Sequence, residues 1–253
     1  MDVLMDTQEN CLTFDYTFFF ENGSHQNFSI RLDAHELSYV AIGKSSRRPY
    51  WAELEYCQCA NCPLLRVQQK YCPIALNLVD FFDHFNTLYS YNIAKVIIST
   101  EERTYLKKTS IQQSLGSMLG IIMVSSGCPI MNRLKPMVRF HLPFASIEET
   151  VFRSVSVYLV GQYFARKQGK TADLDLSGLK EFYLEVQEVN VGMAHRLRSV
   201  TKTDAFANAI ITLDAFAKEL PCSIEEQLKD MEYLFHANNA PLSGPQKAVS
   251  AMM

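Results

Sequence analysis

The first strong pattern in the chain is an alternation of apolar and polar residues on both sides of an Asn-Gly pair. Over residues 12–20 and again over 28–32 an apolar side chain falls on every second position, and Asn22-Gly23 lies between the two runs. A period of two is typical of strands with one buried face, and Asn-Gly is a strong signal for a tight hairpin turn. The pattern predicts a β-hairpin. The alternation in "WAELEY" (51–56) predicts a third strand that leads directly into Cys57.

Beyond residue 70 the apolar spacing changes from two to that of a helix. Apolar residues three and four positions apart predict a helix from Pro73 to about residue 89. A hairpin is predicted over 95–109, followed by a continuous apolar stripe over 111–124 that indicates a second helix. Capping boxes, in which Ser is followed three residues later by Gln or Glu, are expected at Ser110, Ser146 and Ser223. The later helices are predicted over 146–167, 177–199, 203–219 and 223–236, with Pro221 separating the last two.

Strands come first and helices later, an order that indicates an α+β fold. We expect an N-terminal antiparallel β meander with hairpins, followed by a mainly helical C-terminal bundle. The β-rich part, with the cysteine cluster and the first helix, is predicted over 1–90, and the mainly helical part packed against it over 91–236. Residues 237–253 lack periodicity and are predicted to be a disordered tail. A chain of 253 residues, 48% of them hydrophobic, can bury a sizeable core.

Charge and segment lengths narrow the expected partners and compartment. The formal net charge is -3, which gives no overall attraction to nucleic acid or to an anionic membrane. The apolar stripe over 111–124 is too short to cross a bilayer, and the N-terminus has neither the basic nor the apolar region of a signal peptide. We therefore expect a cytoplasmic protein that binds neither nucleic acid nor membrane. A protein partner or a homo-oligomer is left open.

Cysteine provides the main lead to function. The stretch "YCQCANCPLLRVQQKYC" (56–72) holds four of the seven cysteines. Its Cys-x-x-Cys pair delivers two sulfurs on one tight turn, and another cysteine precedes the predicted helix at Pro73. In a reducing compartment, clustered thiols indicate metal or redox chemistry more than disulfides. The predicted metal ligands are Cys59, Cys62, Cys72 and Cys128, with Cys57 and His141 as alternates.

Three of these cysteines, at 62, 72 and 128, are followed directly by proline. A metal-bound thiolate accepts hydrogen bonds from backbone N–H groups beyond the next residue, so a proline there removes a donor that is not needed and stiffens the turn. This suits zinc and iron–sulfur sites alike. Zinc is favoured, although Pro63 stands where zinc knuckles often have glycine. A [4Fe–4S] cluster, or buried thiols without any metal, are the alternatives.

Several segments together resemble an uncharacterised bacterial protein family with no established activity. They are "CANCPL", "YCPIALNLVDFF", "SSGCPIM" and "LKPMVRFHLPFASIEETVFRSVSVYLVGQYF", and the resemblance runs from residue 12 to about residue 230. It implies a bacterial cytosolic protein built as one unit, and it supplies no reaction. It also implies that the four predicted ligands and His141 lie in the family's motif segments, whereas Cys57 lies outside them.

The expected function is that of a non-enzymatic interaction protein whose thiolate site has a structural or regulatory role. Metal would then hold the strands and helices together. An iron–sulfur redox sensor or electron carrier is the first alternative. The second is an enzyme that uses Cys128 or His141 in the irregular connection over 126–146. Phosphate-loop, dinucleotide and serine-hydrolase motifs are not matched by the sequence.

Overall fold

The computed structural model describes residues 10–41, 47–85 and 88–236, apart from the side chains of Cys222 and Ser223. The strands are β1 (Cys11–Phe20), β2 (His25–Asp33), β3 (Tyr39–Val40), β4 (Ile93–Ser99) and β5 (Thr104–Ser110). The α-helices are α1 (Pro73–Phe85), α2 (Ile111–Val124), α3 (Lys135–Arg139), α4 (Ile147–Lys167), α5 (Ser177–Arg198) and α6 (Ala205–Met231). Short 3₁₀ helices cover Tyr50–Ala52, Met131–Leu134 and Glu232–Phe235.

The five strands form one antiparallel sheet in the order β3-β2-β1-β4-β5. The predicted N-terminal hairpin is confirmed: Phe14 pairs with Ile30 and Tyr16 with Phe28, and all four side chains are buried. Gly23 turns the chain with φ of +82°, a conformation that glycine adopts without a steric penalty. The alternation therefore sets one face of the sheet against the helices, and the predicted α+β fold is confirmed.

The second predicted hairpin is also confirmed, as β4 and β5. Its first strand pairs with β1, and its buried residues Ala94, Val96 and Ile98 extend the apolar face of the sheet. The sheet thus contains strands from both sides of residue 90. The predicted disordered tail, 237–253, lies outside the described residues.

The predicted third strand over 51–56 is wrong. Tyr50–Ala52 forms a 3₁₀ helix, and Glu53 makes only an isolated bridge to Tyr71. The reason lies far along the chain, because the Arg196 side chain donates to the carbonyls of residues 51, 53 and 54. These acceptors are then not free for a neighbouring strand. The segment is held by an arginine instead of a sheet.

Two helix predictions near capping residues have opposite outcomes. The box at Ser146 is confirmed: its Oγ accepts from the Glu149 N–H at 3.1 Å, and the Glu149 carboxylate accepts from the Ser146 N–H at 2.7 Å. The box at Ser110 is wrong, since Ser110 makes no side-chain cap bond and Thr109 donates to Gln113 instead. Competition from a neighbouring hydroxyl removes the partner that the box needs.

The predicted break at Pro221 is wrong as well, because α6 is one helix of 27 residues that runs through it. An interior proline costs about 3 kcal/mol. Leu220 and Ile224 on either side are buried, and burial of each such side chain contributes about 1.5–3 kcal/mol. Packing therefore outweighs the proline. The capping box predicted at Ser223 lies among the side chains that are not described.

Helix α2 occupies the centre of the molecule, with ten of its residues buried. It packs against β4, β5 and α1 on one side and against α6 on the other, and α5 packs along α6. This arrangement brings the start of α1, the segment after α2 and the middle of α5 toward one another. Across the described ranges, no helix combines the length and apolarity that a membrane span requires.

Candidate functional site

The four predicted ligands, Cys59, Cys62, Cys72 and Cys128, come together in one group, which we call the thiol cluster. Burial, followed by the neighbouring thiols at 72, 62 and 128, raises the pKa of Cys59 to about 12. Burial also raises the pKa of Cys72 and of Cys128, and each responds to other members of the cluster. Every pair of the four thus interacts electrostatically, and all four are free thiols.

Two members of the thiol cluster sit in matching backbone settings. Cys72 accepts hydrogen bonds from the N–H groups of Ile74 and Ala75, at the start of α1, and these lower its pKa against the effect of burial. Cys128 accepts in the same way from Ile130 and Met131. In both cases the donors are the second and third residues beyond the sulfur, and proline occupies the first. The structure therefore shows, at two of the three Cys-Pro positions, the donor pattern expected from the sequence.

The Cys-x-x-Cys turn packs directly on α5. The Cys62 N–H donates to the Cys59 carbonyl at 3.1 Å, and Asn61 Nδ2 donates to the Glu185 carbonyl at 2.9 Å. Close approach is allowed by Gly192: a Cβ atom built there would lie 2.7 Å from Cys59 Sγ and 3.1 Å from Cys59 Cα. A glycine at this position is required by the contact between the turn and the helix.

Replacing Gly192 with alanine is expected to push the turn away from α5 and to lower the free energy of unfolding by about 1–3 kcal/mol, as overpacking does. Gly161 on α4 is the matched control, since it is a helix-interior glycine with nothing within 4 Å of a Cβ atom. Alanine at 161 should stabilise the protein by up to about 1 kcal/mol. Urea denaturation of both variants measures the contrast, and equal effects would contradict the close packing.

A buried arginine that the sequence analysis missed lies beside the thiol cluster. Arg196 is 1% exposed and lowers the pKa of both Cys59 and Cys72. Its guanidinium donates to the carbonyls of Trp51, Glu53 (2.7 Å) and Leu54 (3.2 Å), while its Nε has no hydrogen-bond partner. In the part of the chain that the structure describes, no carboxylate forms an ion pair with it.

The position of Arg196 does carry a signal in the sequence. It lies three residues after Met193 and seven after Val189, both buried, so the helical spacing places a charged side chain on the apolar stripe of α5. A buried cation requires a compensating charge or a full set of acceptors. Here it has carbonyl oxygens on one side and thiols on the other. Arg196 therefore lowers the cost of negative charge on Cys59 and Cys72, while burial still raises the pKa of both overall.

The two alternate ligands lie in different surroundings from the thiol cluster. Cys57 is half-buried in a turn, with φ of +48°, and does not act on the other thiols. His141 contacts Tyr16 and Ser117 instead of cysteine. Among the residues with described side chains, no three or more of His, Cys, Asp and Glu stand in an arrangement that could hold a metal ion. The cluster is thus a set of neighbouring thiols, not a closed coordination sphere.

His141 belongs to a second polar group, formed by β1, α2 and the segment after α3. Its Nε2 lies 3.2 Å from Ser117 Oγ and 3.5 Å from Tyr16 Oη, and these two oxygens are 3.1 Å apart. Burial, followed by the positive charge of Arg153 on α4, lowers the pKa of His141 to about 3. The imidazole is therefore neutral at pH 7 and acts in this group as a hydrogen-bond partner.

The pKa of His141 makes stability depend on pH in a defined direction. Below pH 6.5 the unfolded chain binds a proton at this position that the folded chain does not bind until about pH 3. This contribution is therefore complete above pH 6.5 and is lost as the pH falls toward 3. At pH 5 the loss should be about 2 kcal/mol in the wild type and absent in H141Q.

Urea denaturation at pH 7 and pH 5 measures this effect as the difference between the two proteins. The exposed His195 on α5 supplies the control, H195Q, which should keep the wild-type pH dependence. An H141Q protein that loses as much stability between pH 7 and pH 5 as the wild type would show that His141 does not carry the effect.

The comparisons with known proteins yield a family and no activity. No curated protein and no solved structure matches the chain. One family model matches residues 14–236, which include all four members of the thiol cluster, Arg196 and His141. The predicted resemblance to an uncharacterised family is confirmed. The chain belongs to the family described as "Domain of unknown function (DUF6901)".

Proposed function

We propose that the thiol cluster binds one metal ion, zinc in the first instance, and that the protein is a cytoplasmic, non-enzymatic interaction protein. The metal has a structural or regulatory role. The observation that carries the proposal is the meeting of Cys59, Cys62, Cys72 and Cys128 in one group of interacting free thiols, of which Cys72 and Cys128 are buried and the other two partly buried. Four sulfurs are the donor set of a tetrahedral structural zinc site.

Charge supports the same proposal. Four thiolates around Zn²⁺ carry a net charge of about two negative units, which needs donors and cations nearby. The N–H groups at residues 74, 75, 130 and 131 point at two of the sulfurs, and Arg196 supplies a buried positive charge. Without metal, burial raises the pKa of Cys59, Cys72 and Cys128 and keeps these three thiols protonated. Binding would therefore release protons and draw the sulfurs inward to about 2.3 Å from the ion.

The location of the cluster suggests what the metal does. Its sulfurs come from the turn at 59–62, from the start of α1 and from the segment after α2, and the turn rests on α5. The turn and the start of α1 are close together in the sequence, whereas Cys128 and α5 lie far along the chain from both. One ion would join them, so a large part of the binding free energy would appear as stability of the fold.

An iron–sulfur cluster is the second candidate. It uses the same four thiolates, and hydrogen bonds from backbone N–H groups to sulfur are a recognised means of setting its potential. The paired donors at Cys72 and Cys128 favour it as much as they favour zinc. The enzyme alternative uses Cys128 or His141, and these two side chains interact with different groups, so they do not form one shared site.

Elemental analysis of protein purified under reducing, anaerobic conditions tests the proposal. About one zinc per chain is the expected result. Iron with inorganic sulfide and a brown colour would establish the alternative. A colourless protein that carries neither metal, and that takes up no zinc when titrated in reduced form, would overturn the proposal.

A further inference from the structure

A cavity of about 470 Å³, lined by none of the four cysteines of the thiol cluster, is bounded on α5 by Tyr183, Val186 and Asn190. Its walls come from α2, α4, α5 and α6 and from the segment between α2 and α4, and they are mostly apolar. Cavities that bind small molecules span about 300–1,000 Å³, with apolar walls and a few convergent polar groups. The size and lining of this cavity fall within that description.

The charged groups of the cavity have one sign. Lys107 and Arg153 line it, and no carboxylate does so among the described residues. Arg153 donates through Nη2 to the carbonyls of Met137 (2.8 Å) and Phe140 (2.7 Å), so its guanidinium is held in place. Neither cation forms an ion pair with another described residue. An anionic group on a ligand would complete this end of the cavity.

Neutral polar groups add to the binding capacity of the walls. Asn190, on α5, is 2% exposed and lines the cavity, and its Oδ1 has no hydrogen-bond partner. Ser117 and His141 line it too, with their polar atoms 3.2 Å apart. Asn190 Oδ1 can only accept, so a water in the cavity can serve as its donor, whereas the Ser117 hydroxyl can donate to an anion.

A glycine in α2 keeps the space open. Gly120 lines the cavity inside a helix, where glycine costs about 1 kcal/mol relative to alanine. A Cβ atom at this position would meet nothing within 4 Å. A larger residue would therefore be accommodated by the fold but would occupy the cavity. A ligand that occupies the cavity would explain why the helix has a destabilising glycine at position 120.

From these observations we infer that the cavity binds a single-chain carboxylic acid of fatty-acid type. The carboxylate lies between Arg153 and Lys107, where Nη1 of the guanidinium and the ammonium group of Lys107 can each donate to it. The hydrocarbon chain lies along the apolar walls that α2, α5 and α6 provide. Lys107 is exposed, so solvent screens much of its charge, and a single negative charge on the ligand matches the site.

Isothermal titration of the full chain with saturated carboxylates of about 8 to 16 carbons tests this inference. One saturable site is expected, with affinity rising about three- to fourfold per methylene until the chain fills the cavity. The alcohol of the same length should bind at least about tenfold more weakly, because it lacks the charge. Equal affinity for acid and alcohol, tighter binding of the alkyl phosphate, or no saturable binding of any acid would each overturn the inference.

Two pairs of variants locate the site. Gly120→Leu should weaken carboxylate binding by at least about tenfold, whereas Gly161→Leu, at an exposed helix position, should leave it unchanged. Lys107→Gln should weaken binding of the acid about three- to tenfold and leave binding of the alcohol unchanged. This second variant tests the inference even if the Gly120→Leu protein does not fold. Unchanged carboxylate affinity in both Gly120→Leu and Lys107→Gln would place any binding elsewhere.

Discussion

Replacing Arg196 with methionine is expected to lower the free energy of unfolding by about 3–5 kcal/mol, the range for removing one partner of a buried charged network. The guanidinium bonds to the carbonyls of residues 51, 53 and 54, all of which belong to a segment without a strand partner. Methionine fills the space of the side chain but donates nothing. In R196M the three backbone carbonyls would therefore be left buried without a hydrogen-bond donor.

Urea denaturation measures this loss, and α5 provides a matched control. Arg198 lies two residues away on the same helix and is exposed, so R198M should change stability by no more than about 0.5 kcal/mol. An R196M protein as stable as the wild type would contradict the role given to the buried guanidinium. R196K should be intermediate, since one ammonium group cannot reach three carbonyls in the planar geometry of arginine.

The parts of the fold that were predictable are those fixed by local periodicity. Phe14, Tyr16 and Phe18 alternate strictly, and a slip of one residue would turn all of them to solvent, so the register of β1 follows from the sequence. The stripe on α2 and the capping box at Ser146 are local in the same sense. In each case the residues that decide the structure lie within a few positions of one another.

The parts that were missed depend on partners distant in the sequence. The local sequence around Trp51 predicts a strand. The strand does not form because Arg196, some 145 residues later, donates hydrogen bonds to the carbonyls of this segment. Helix α6 continues through Pro221 because residues on both sides are buried against other helices. Neither effect is visible in a local window. Propensity gave the wrong result where tertiary packing supplied the larger free energy.

In the candidate site, too, the residues with a local sequence signal were predictable and those whose role depends on tertiary packing were not. The Cys-Pro pattern was enough to select Cys72 and Cys128 together with the Cys-x-x-Cys pair, since a repeated local motif signals a repeated local geometry. Gly192 and Arg196 were missed because their roles arise only when α5 packs on the turn. The cavity was missed for the same reason, as its walls come from four helices.

The second large effect is expected from Cys128→Ser. If the thiol cluster is one metal centre assembled from distant segments, removing this sulfur should weaken zinc binding by more than about 100-fold, beyond the 10–100-fold cost of altering an outer-shell partner. Cys62→Ser should have an equal effect. Cys57→Ser is the control, because Cys57 lies in the same stretch of chain but does not act on the other thiols.

The most direct test is a competition titration of zinc between a chromogenic chelator and the reduced wild type, Cys128→Ser and Cys57→Ser proteins. The expected result is tight binding of about one zinc per chain by the wild type and by Cys57→Ser, and loss of tight binding in Cys128→Ser. Stoichiometric zinc held by Cys128→Ser with wild-type affinity would contradict a centre that joins Cys128 to the cysteines of residues 59–72.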